Sequence, residues 1–432
     1  MSENNEIFLI RGGTPLTGTL PVMRMKNSVL YLVLASVLTD EEVVLEDVPR
    51  LSDVLVSEEI LRHVGVETRW EGDDLHLHAR SLRGCRAPYS LVNKMRASFV
   101  IMGALLGRCG EARVPMPGGC AFGPRPVDRH LAAFRELGVV IDEEDGDFYA
   151  RRVKPLQGTV HFEAPTVGGT QNVLLAAALA DGRVIIENAA LEPEISDLAN
   201  MLNAMGASVS GAGTRTIVVD GVKRLHGVRY RPIADRIEAG TYLLAAAATR
   251  GQVTLTDVNP EHLGAVLEAL TATGVSVSVG EGSVTVDARG DLRPVDVIAR
   301  EYPGLPTDLQ APFSAFLATV PGHSQLSDTV YPDRFTHVEE LARTGARLAF
   351  DGRTLDVDGG RLRSAAMHAA DIRAGGALVI AALAAEGTSE IGGVRFIDRG
   401  YERLAERLNT LGADVVRQAA PRLTSTTGTY GD

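Results

Sequence analysis

Apolar and polar residues alternate along this chain in a pattern that recurs six times. Stretches with apolar residues three or four apart, such as Ile195, Leu198 and Met205, or Leu404, Leu408 and Leu411, predict helices with one buried face. Each ends at a glycine: Gly65, Gly138, Gly206, Gly274, Gly345 and Gly412, spaced 73, 68, 68, 71 and 67 residues apart. Glycine suits a helix end because it enters the left-handed region without steric cost. Upstream of each lies a second, Ala-rich and almost wholly apolar helix, predicted over 28–38, 97–106, 171–179, 239–248, 310–318 and 374–384. A helix that is apolar all round belongs inside a core. β-like segments such as 184–187 and 253–256 follow these helices. The unit reads β-α-β-α-β-β over about 70 residues. That is longer than the roughly 20–50 residues of a solenoid repeat. Six units predict an α/β chain of two domains with three units each, buried helices inside and sheets outside. The expected domains are 22–229, then 1–21 with 230–420, and 421–432 as a loose tail. The strand-like segment 7–18 is expected to complete a sheet of the second domain.

Composition narrows the class. The chain has 432 residues, 45% hydrophobic and 23% charged, the balance of an ordinary globular protein. Its net charge is −12 with no Lys/Arg block, which argues against nucleic-acid binding. No apolar run approaches the ~20 residues of a bilayer span, and the N-terminus lacks a basic segment before an apolar one. A cytoplasmic protein without a membrane partner is expected. Three cysteines form neither a disulfide framework nor a zinc spacing, which fits a reducing compartment. Cys85 and Cys109 read as small buried hydrophobes, and His76 and His78 as solvated strand positions.

Aligning the units shows charge gathered at one end of apolar helices. The buried-helix starts carry Lys26-Asn27, Arg96, Thr170-Gln171, Asp235-Arg236, Asp308, and Asp371 with Arg373. The amphipathic-helix starts carry Arg125, Arg334 and Arg399. Cations at a helix N-terminus oppose the dipole until an anion binds, when both act together. Such starts in register imply a shared anion-binding cleft and a multiply charged ligand, a phosphate ester or a nucleotide. Cys120 sits in a glycine- and proline-rich turn near Arg125, a setting that makes a thiol reactive. Asp308 reads as an N-cap that, in a cationic cleft, is also a candidate base for a hydroxyl.

These residues carry a resemblance. Lys26-Asn27, M-R-A-S at 95–98, G-G-C-x-x-G-x-R-P-V-D at 118–128, P-T-V-G at 165–168, D-R-I-E-A-G-T at 235–241, L-P-T-D at 305–308, R-F-x-H-V at 334–338 and I-D-R-G-Y-E at 397–402 together resemble the enolpyruvyl transferases. The match runs from about residue 6 to residue 417. The resemblance implies an inverse α/β barrel in two domains and a metal-free addition–elimination without a cofactor. Phosphoenolpyruvate would donate its enolpyruvyl group to a hydroxyl of a uridine nucleotide. The acceptor is read as the 3-OH of UDP-N-acetylglucosamine, at the entry to peptidoglycan precursor synthesis, with UMP in nucleoside-antibiotic biosynthesis as the alternative. By family match, Lys26, Arg125 and Arg399 would hold phosphoenolpyruvate, with Arg334, Arg373 and Asp371 nearby. Cys120 would be the acid and Asp308 the base, with Lys26 and Arg399 sharing in the chemistry. Asn27, Arg96, Arg125, Pro126, Val127, Asp128, Arg129, Ala164, Pro165, Thr166, Val167, Asp308 and Val330 would hold the nucleotide. The assembly implied is a monomer or a weak homo-oligomer.

The chain departs from the family pattern near the acceptor. Arg24-Met25 precede Lys26, Ser28 follows Asn27, Pro124 precedes Arg125, and Arg129 and Ala164 stand where an apolar residue and a lysine are common. A non-catalytic nucleotide-binding relative is disfavoured, because Lys26, Cys120, Asp308 and Arg399 are all present.

Overall fold

The computed structural model describes residues 6–117 and 127–420. Residues 158–220 show the unit in full. Strand Gly158–His161 leads into the buried helix Val167–Ala177, then strand Arg183–Glu187, the amphipathic helix Pro193–Ala204 and the strands Ser208–Ser210 and Thr216–Asp220. The first strand pairs parallel with Arg183–Glu187, and the other two join antiparallel on its far side. Parallel partners need a crossover, and the buried helix supplies it. Six sheets result among the described residues, five of four strands and one of three. The three-stranded sheet belongs to the second unit, where an Arg86–Arg113 bridge stands in place of the first strand.

All six repeat glycines have positive φ, from 79° at Gly138 to 108° at Gly65. At Gly65 a Cβ would also lie 2.7 Å from the backbone nitrogen of Arg83, so both conformation and space require glycine.

The apolar core divides into two clusters. One draws on residues between Met23 and Leu225, the other on residues 8–25 and 234–415. In the second half the helices Arg236–Ala248, Gln310–Leu317 and Ile372–Ala384 pack on one another pairwise. Every residue of Arg236–Ala248 is buried; its later turns are apolar, and the charged Arg236 and Glu238 of its first turn are paired with Glu194 and Arg407. Three sheets surround these helices. The six sheets remain separate among the described residues, so each half is three sheets around three helices and not one continuous barrel.

The halves exchange strands. Thr17–Pro21 pairs with Gln252–Thr256 in the second half, then runs into the Lys26–Ala35 helix of the first. Val228–Tyr230 pairs with Glu42–Leu45 in the first half, then runs into Arg236–Ala248 of the second. The two crossing segments pair at Arg24–Ala234, with Met25 N–H on Ile233 O at 2.8 Å and Asp235 N–H on Met23 O at 2.8 Å. Glu6–Arg11 lies between Thr388–Gly392 and Asp414–Ala419 and so completes the last sheet with the start of the chain. Where the sequence reads one strand-like segment over 7–18, the structure has two strands, Glu6–Arg11 and Thr17–Pro21, each in a different second-half sheet.

Three local expectations are corrected. The third buried helix begins at Val167, so Thr170-Gln171 lie inside it, fully buried. His76 is buried between Glu42, Glu71 and Arg69, because its strand position turns it onto neighbouring charged side chains instead of water. Cys109 is exposed and Cys85 half-buried, as Cys109 ends its helix at the surface. No helix among the described residues is long and apolar enough to cross a membrane.

Candidate active site

A cleft of about 610 Å³ opens between the halves, lined by residues of both. Its walls are the helix starts of the repeat, so a local feature of each unit becomes a shared surface. Its two ends differ in chemistry.

At one end the groups are charged. Lys26 opens its helix almost fully buried, with Nζ 3.2 Å from Asp53 Oδ2. Asp53, in the first turn of Ser52–Val64, also takes Arg399 Nε at 2.9 Å on its other oxygen. Asp308 Oδ1 meets Arg334 Nη2 at 2.7 Å and Arg373 Nε at 3.4 Å. Asp308 makes no N-cap hydrogen bond, which corrects the sequence expectation: the two guanidiniums take its carboxylate. Asp371 is the cap of its own helix, accepting from Arg373 N at 2.8 Å and Ala374 N at 3.1 Å, with Thr336 Oγ1 at 3.2 Å. Asp235 caps in the same way and also accepts from Lys26 N at 3.1 Å across the junction.

Electrostatics follow from this geometry. Burial opposes the charge on Asp308, but Arg373, Arg334 and then Lys26 outweigh it and hold the carboxyl well below the usual range. Burial lowers Lys26, and Asp53 resists that while Arg373 adds to it. Four cations, Lys26, Arg334, Arg373 and Arg399, thus bond to two carboxylates, Asp53 and Asp308. The excess of positive charge favours a dianion there.

The other end is built mainly by the first half, with Arg96 close enough to act on His130. Thr166 caps the Val167–Ala177 helix through Gly169 N at 3.3 Å, and Thr166, Val167 and Gly168 at this helix start line the cleft. His130 lies beside them, edge-on to Phe99 with ring centroids 5.5 Å apart. Asn172 links His130 Nδ1, at 3.0 Å, to the Gly103 N–H, at 2.6 Å. Burial and then Arg96 push the His130 pKa down to about 3, so the imidazole is neutral. Arg236 and Glu194, also on the cleft wall, form a buried pair at 3.2 Å across the junction, with the guanidinium over the Tyr302 ring.

The cleft therefore brings together Lys26, Asn27, Arg96, Val127, Pro165, Thr166, Val167, Asp308, Val330, Arg334, Asp371, Arg373 and Arg399. Asp128, Arg129 and Ala164 are not on its wall; Arg129 is exposed, and its side chain reaches back to Pro165 O at 3.5 Å. Cys120, Arg125 and Pro126 lie outside the described residues. Asp53 and His130 line the cleft without any signal in the sequence beyond ordinary helix-start or helix-face positions, whereas Glu192 and Glu194 fall in the E-N-A-A-x-E-P-E-I segment at 187–195 that also resembles the enolpyruvyl transferases. Among the described residues no group of His, Cys, Asp or Glu is arranged to hold a metal ion.

Comparison with known proteins agrees with this reading. The family model described as EPSP synthase (3-phosphoshikimate 1-carboxyvinyltransferase) matches residues 10–408. A Thermus thermophilus protein named UDP-N-acetylglucosamine 1-carboxyvinyltransferase is 54% identical over 417 residues, 96% of this chain and 98% of that one. A Deinococcus radiodurans protein of the same name is 50% identical over 410 residues, 94% of this chain and 96% of its own. The crystal structure of the enolpyruvyl transferase NikO from Streptomyces tendae superimposes with TM-score 0.86 at 26% identity, covering 97% of this chain and 100% of that one. EPSP synthase from Acinetobacter baumannii shares the fold, with TM-score 0.75 at 19% identity over 96% and 100% of the two chains. With a family model spanning most of its length and relatives half identical end to end, this chain belongs to the EPSP synthase family of carboxyvinyl (enolpyruvyl) transferases.

Proposed function

We propose that the protein transfers the enolpyruvyl group of phosphoenolpyruvate to the 3-hydroxyl of UDP-N-acetylglucosamine, releasing inorganic phosphate. The observation that carries this reading is the 54% identity, over 96% of the chain, to a UDP-N-acetylglucosamine 1-carboxyvinyltransferase. The charged end of the cleft supports it.

Lys26, Arg334, Arg373 and Arg399 hold the phosphate and carboxylate of phosphoenolpyruvate, joined by Arg125 as the family resemblance implies. The capped start of the Val167 helix, Arg96, Asn27 and Val330 hold the nucleotide. The hydroxyl oxygen bonds to C2 of phosphoenolpyruvate as a proton adds to C3, delivered by Cys120. Asp308 takes the hydroxyl proton. The tetrahedral ketal then loses a proton from its new methyl group and breaks the C2–O bond to phosphate, which restores the double bond. While Arg373 and Arg334 stabilise its charge, Asp308 is a weak base. An anion that draws those guanidiniums away raises its basicity when the hydroxyl arrives. Fixed charges in a site closed to water stabilise the developing charges of the addition step.

A phosphate-release assay with phosphoenolpyruvate and, in parallel, UDP-N-acetylglucosamine, UMP or UDP tests this. Release with UDP-N-acetylglucosamine is expected. Release with UMP alone overturns the acceptor assignment, and none with any acceptor overturns the reading.

A further inference from the structure

Asp53 has no place in the chemistry above, yet it bridges two of the cations at the charged end. One oxygen is 3.2 Å from Lys26 Nζ, and the other is 2.9 Å from Arg399 Nε. Its side chain is only 7% exposed. Lys26 belongs to the first half of the molecule and Arg399 to the second, so this one carboxylate spans the junction at the floor of the cleft. We propose that Asp53 is the positioning residue of the donor pocket, aligning Lys26 and Arg399 from opposite halves so that both point at the phosphate of phosphoenolpyruvate. This rests on the reading of the cleft as a phosphoenolpyruvate site.

Three arguments support the assignment. Lys26 and Arg399 are long, flexible cations, and each carries roughly 2 kcal/mol of rotamer entropy that must be lost for binding. A buried carboxylate that already holds both removes that loss from the binding step. Two cations brought together without a counter-charge repel, and Asp53 supplies the counter-charge before an anion binds. The third argument concerns protonation. The groups facing the Lys26 ammonium are Asp53 from the Ser52 helix, Asp308 from the Thr307 turn and Arg373 from the Ile372 helix, with Arg399 held on the same Asp53. Burial and Arg373 favour loss of the proton, and Asp53 is the strongest group that opposes it. Without the Asp53 charge Lys26 deprotonates at lower pH, and phosphoenolpyruvate loses one of its cations.

The test uses full-length protein whose phosphate release with both substrates has first been shown, so that failure of the functional reading is seen separately. In Asp53→Asn the KM for phosphoenolpyruvate is expected to rise about ten-fold or more, while the KM for UDP-N-acetylglucosamine stays within about two-fold. The alkaline limb of kcat/KM for phosphoenolpyruvate is expected to move to lower pH by about one unit, because a neighbouring charge shifts a pKa by roughly that much. Asp53→Glu, which keeps the charge but displaces it, is expected to raise the same KM and leave the limb in place. Equal loss toward both substrates, or an unmoved limb in Asp53→Asn, overturns the proposal. Should Asp53→Asn fail to fold by circular dichroism, Asp53→Glu decides: a wild-type KM for phosphoenolpyruvate overturns the proposal, and a selective rise supports it.

Discussion

The two ends of the cleft solve the problem of holding an anion in opposite ways. At the Lys26 end the work falls to charged side chains drawn from both halves, each locked to a carboxylate before any ligand arrives. At the Val167 end it falls to a capped helix start and a neutral imidazole from the first half. The first arrangement is strong: Lys26–Asp53 and Asp308 with Arg334 and Arg373 pair within one half each, and Asp53–Arg399 joins the two clusters across the halves. The second draws mostly on the first half, with Val330 joining from the second. Binding of phosphoenolpyruvate is therefore tied to the junction between the halves, and recognition of the nucleotide much less so.

The largest expected effect falls on the charged end. Asp308→Asn should lower kcat by ~100- to 10,000-fold, the usual cost of a lost general base. Its KM for UDP-N-acetylglucosamine should change far less. Steady-state kinetics at saturating phosphoenolpyruvate measures this, and near-normal turnover would remove Asp308 as the base.

Next comes the junction pair on the cleft wall. Arg236→Met leaves Glu194 charged and buried, which typically costs about 3–5 kcal/mol. Replacing both, as Glu194→Met with Arg236→Met, should cost clearly less than Arg236→Met alone. Urea unfolding of the two variants checks it, and a larger loss in the double variant would show that the pair itself, not the orphaned charge, carries the stability.

A smaller effect distinguishes the ends by pH. Below its ordinary pKa near 6.5 the unfolded His130 takes up a proton, while in the fold burial and Arg96 keep it neutral down to about 3. Stability from this residue is thus full above pH 6.5 and falls as pH drops toward 3, by up to about 1.4 kcal/mol per pH unit. The Asp308 contribution has a different window: it is present above the ordinary carboxylate range and is lost only as pH falls below it. Between pH 6.5 and 4.5 the stability contribution of His130 should therefore change while that of Asp308 should not. His130→Gln is expected to flatten the stability profile in that interval, and Asp308→Asn to leave its slope unchanged.

The smallest effect expected is that of Arg129→Leu. Arg129 is exposed and off the cleft wall. A surface change of this kind is usually within ~0.5 kcal/mol, which is about two-fold in KM. A ten-fold change toward one nucleotide only would bring Arg129 into the acceptor site and make that end more charged than the structure shows.

Much of this comparison is legible in the linear chain. The six glycines, the apolar helices and the cations at their starts depend on neighbours within a turn or two, and such local patterns survive in a linear reading. Gly65 ends its helix with a positive φ that its own type allows, and the crowding by Arg83 is added by the fold. The sequence pattern places the start of the third buried helix a few residues late, because Thr166 caps it and the following Gly168-Gly169 conceals the first turn. His76 reads as solvated because strand alternation says which face a residue takes, not what covers that face.

The repeat, the class of fold and the cations in register at helix starts are properties of the sequence alone. Each follows from helical and strand periodicity and from where charge is tolerated at a helix end. Which cations share a counter-ion is instead a matter of three-dimensional packing. So are the crossing of the two halves at Arg24 and Ala234 and the position of Asp128, Arg129 and Ala164 off the wall. Asp53 and Arg399 are 346 positions apart, and nothing near either one names the other. An ion pair depends on distance in space, and a chain that folds back on itself through two crossing segments sets that distance by packing alone.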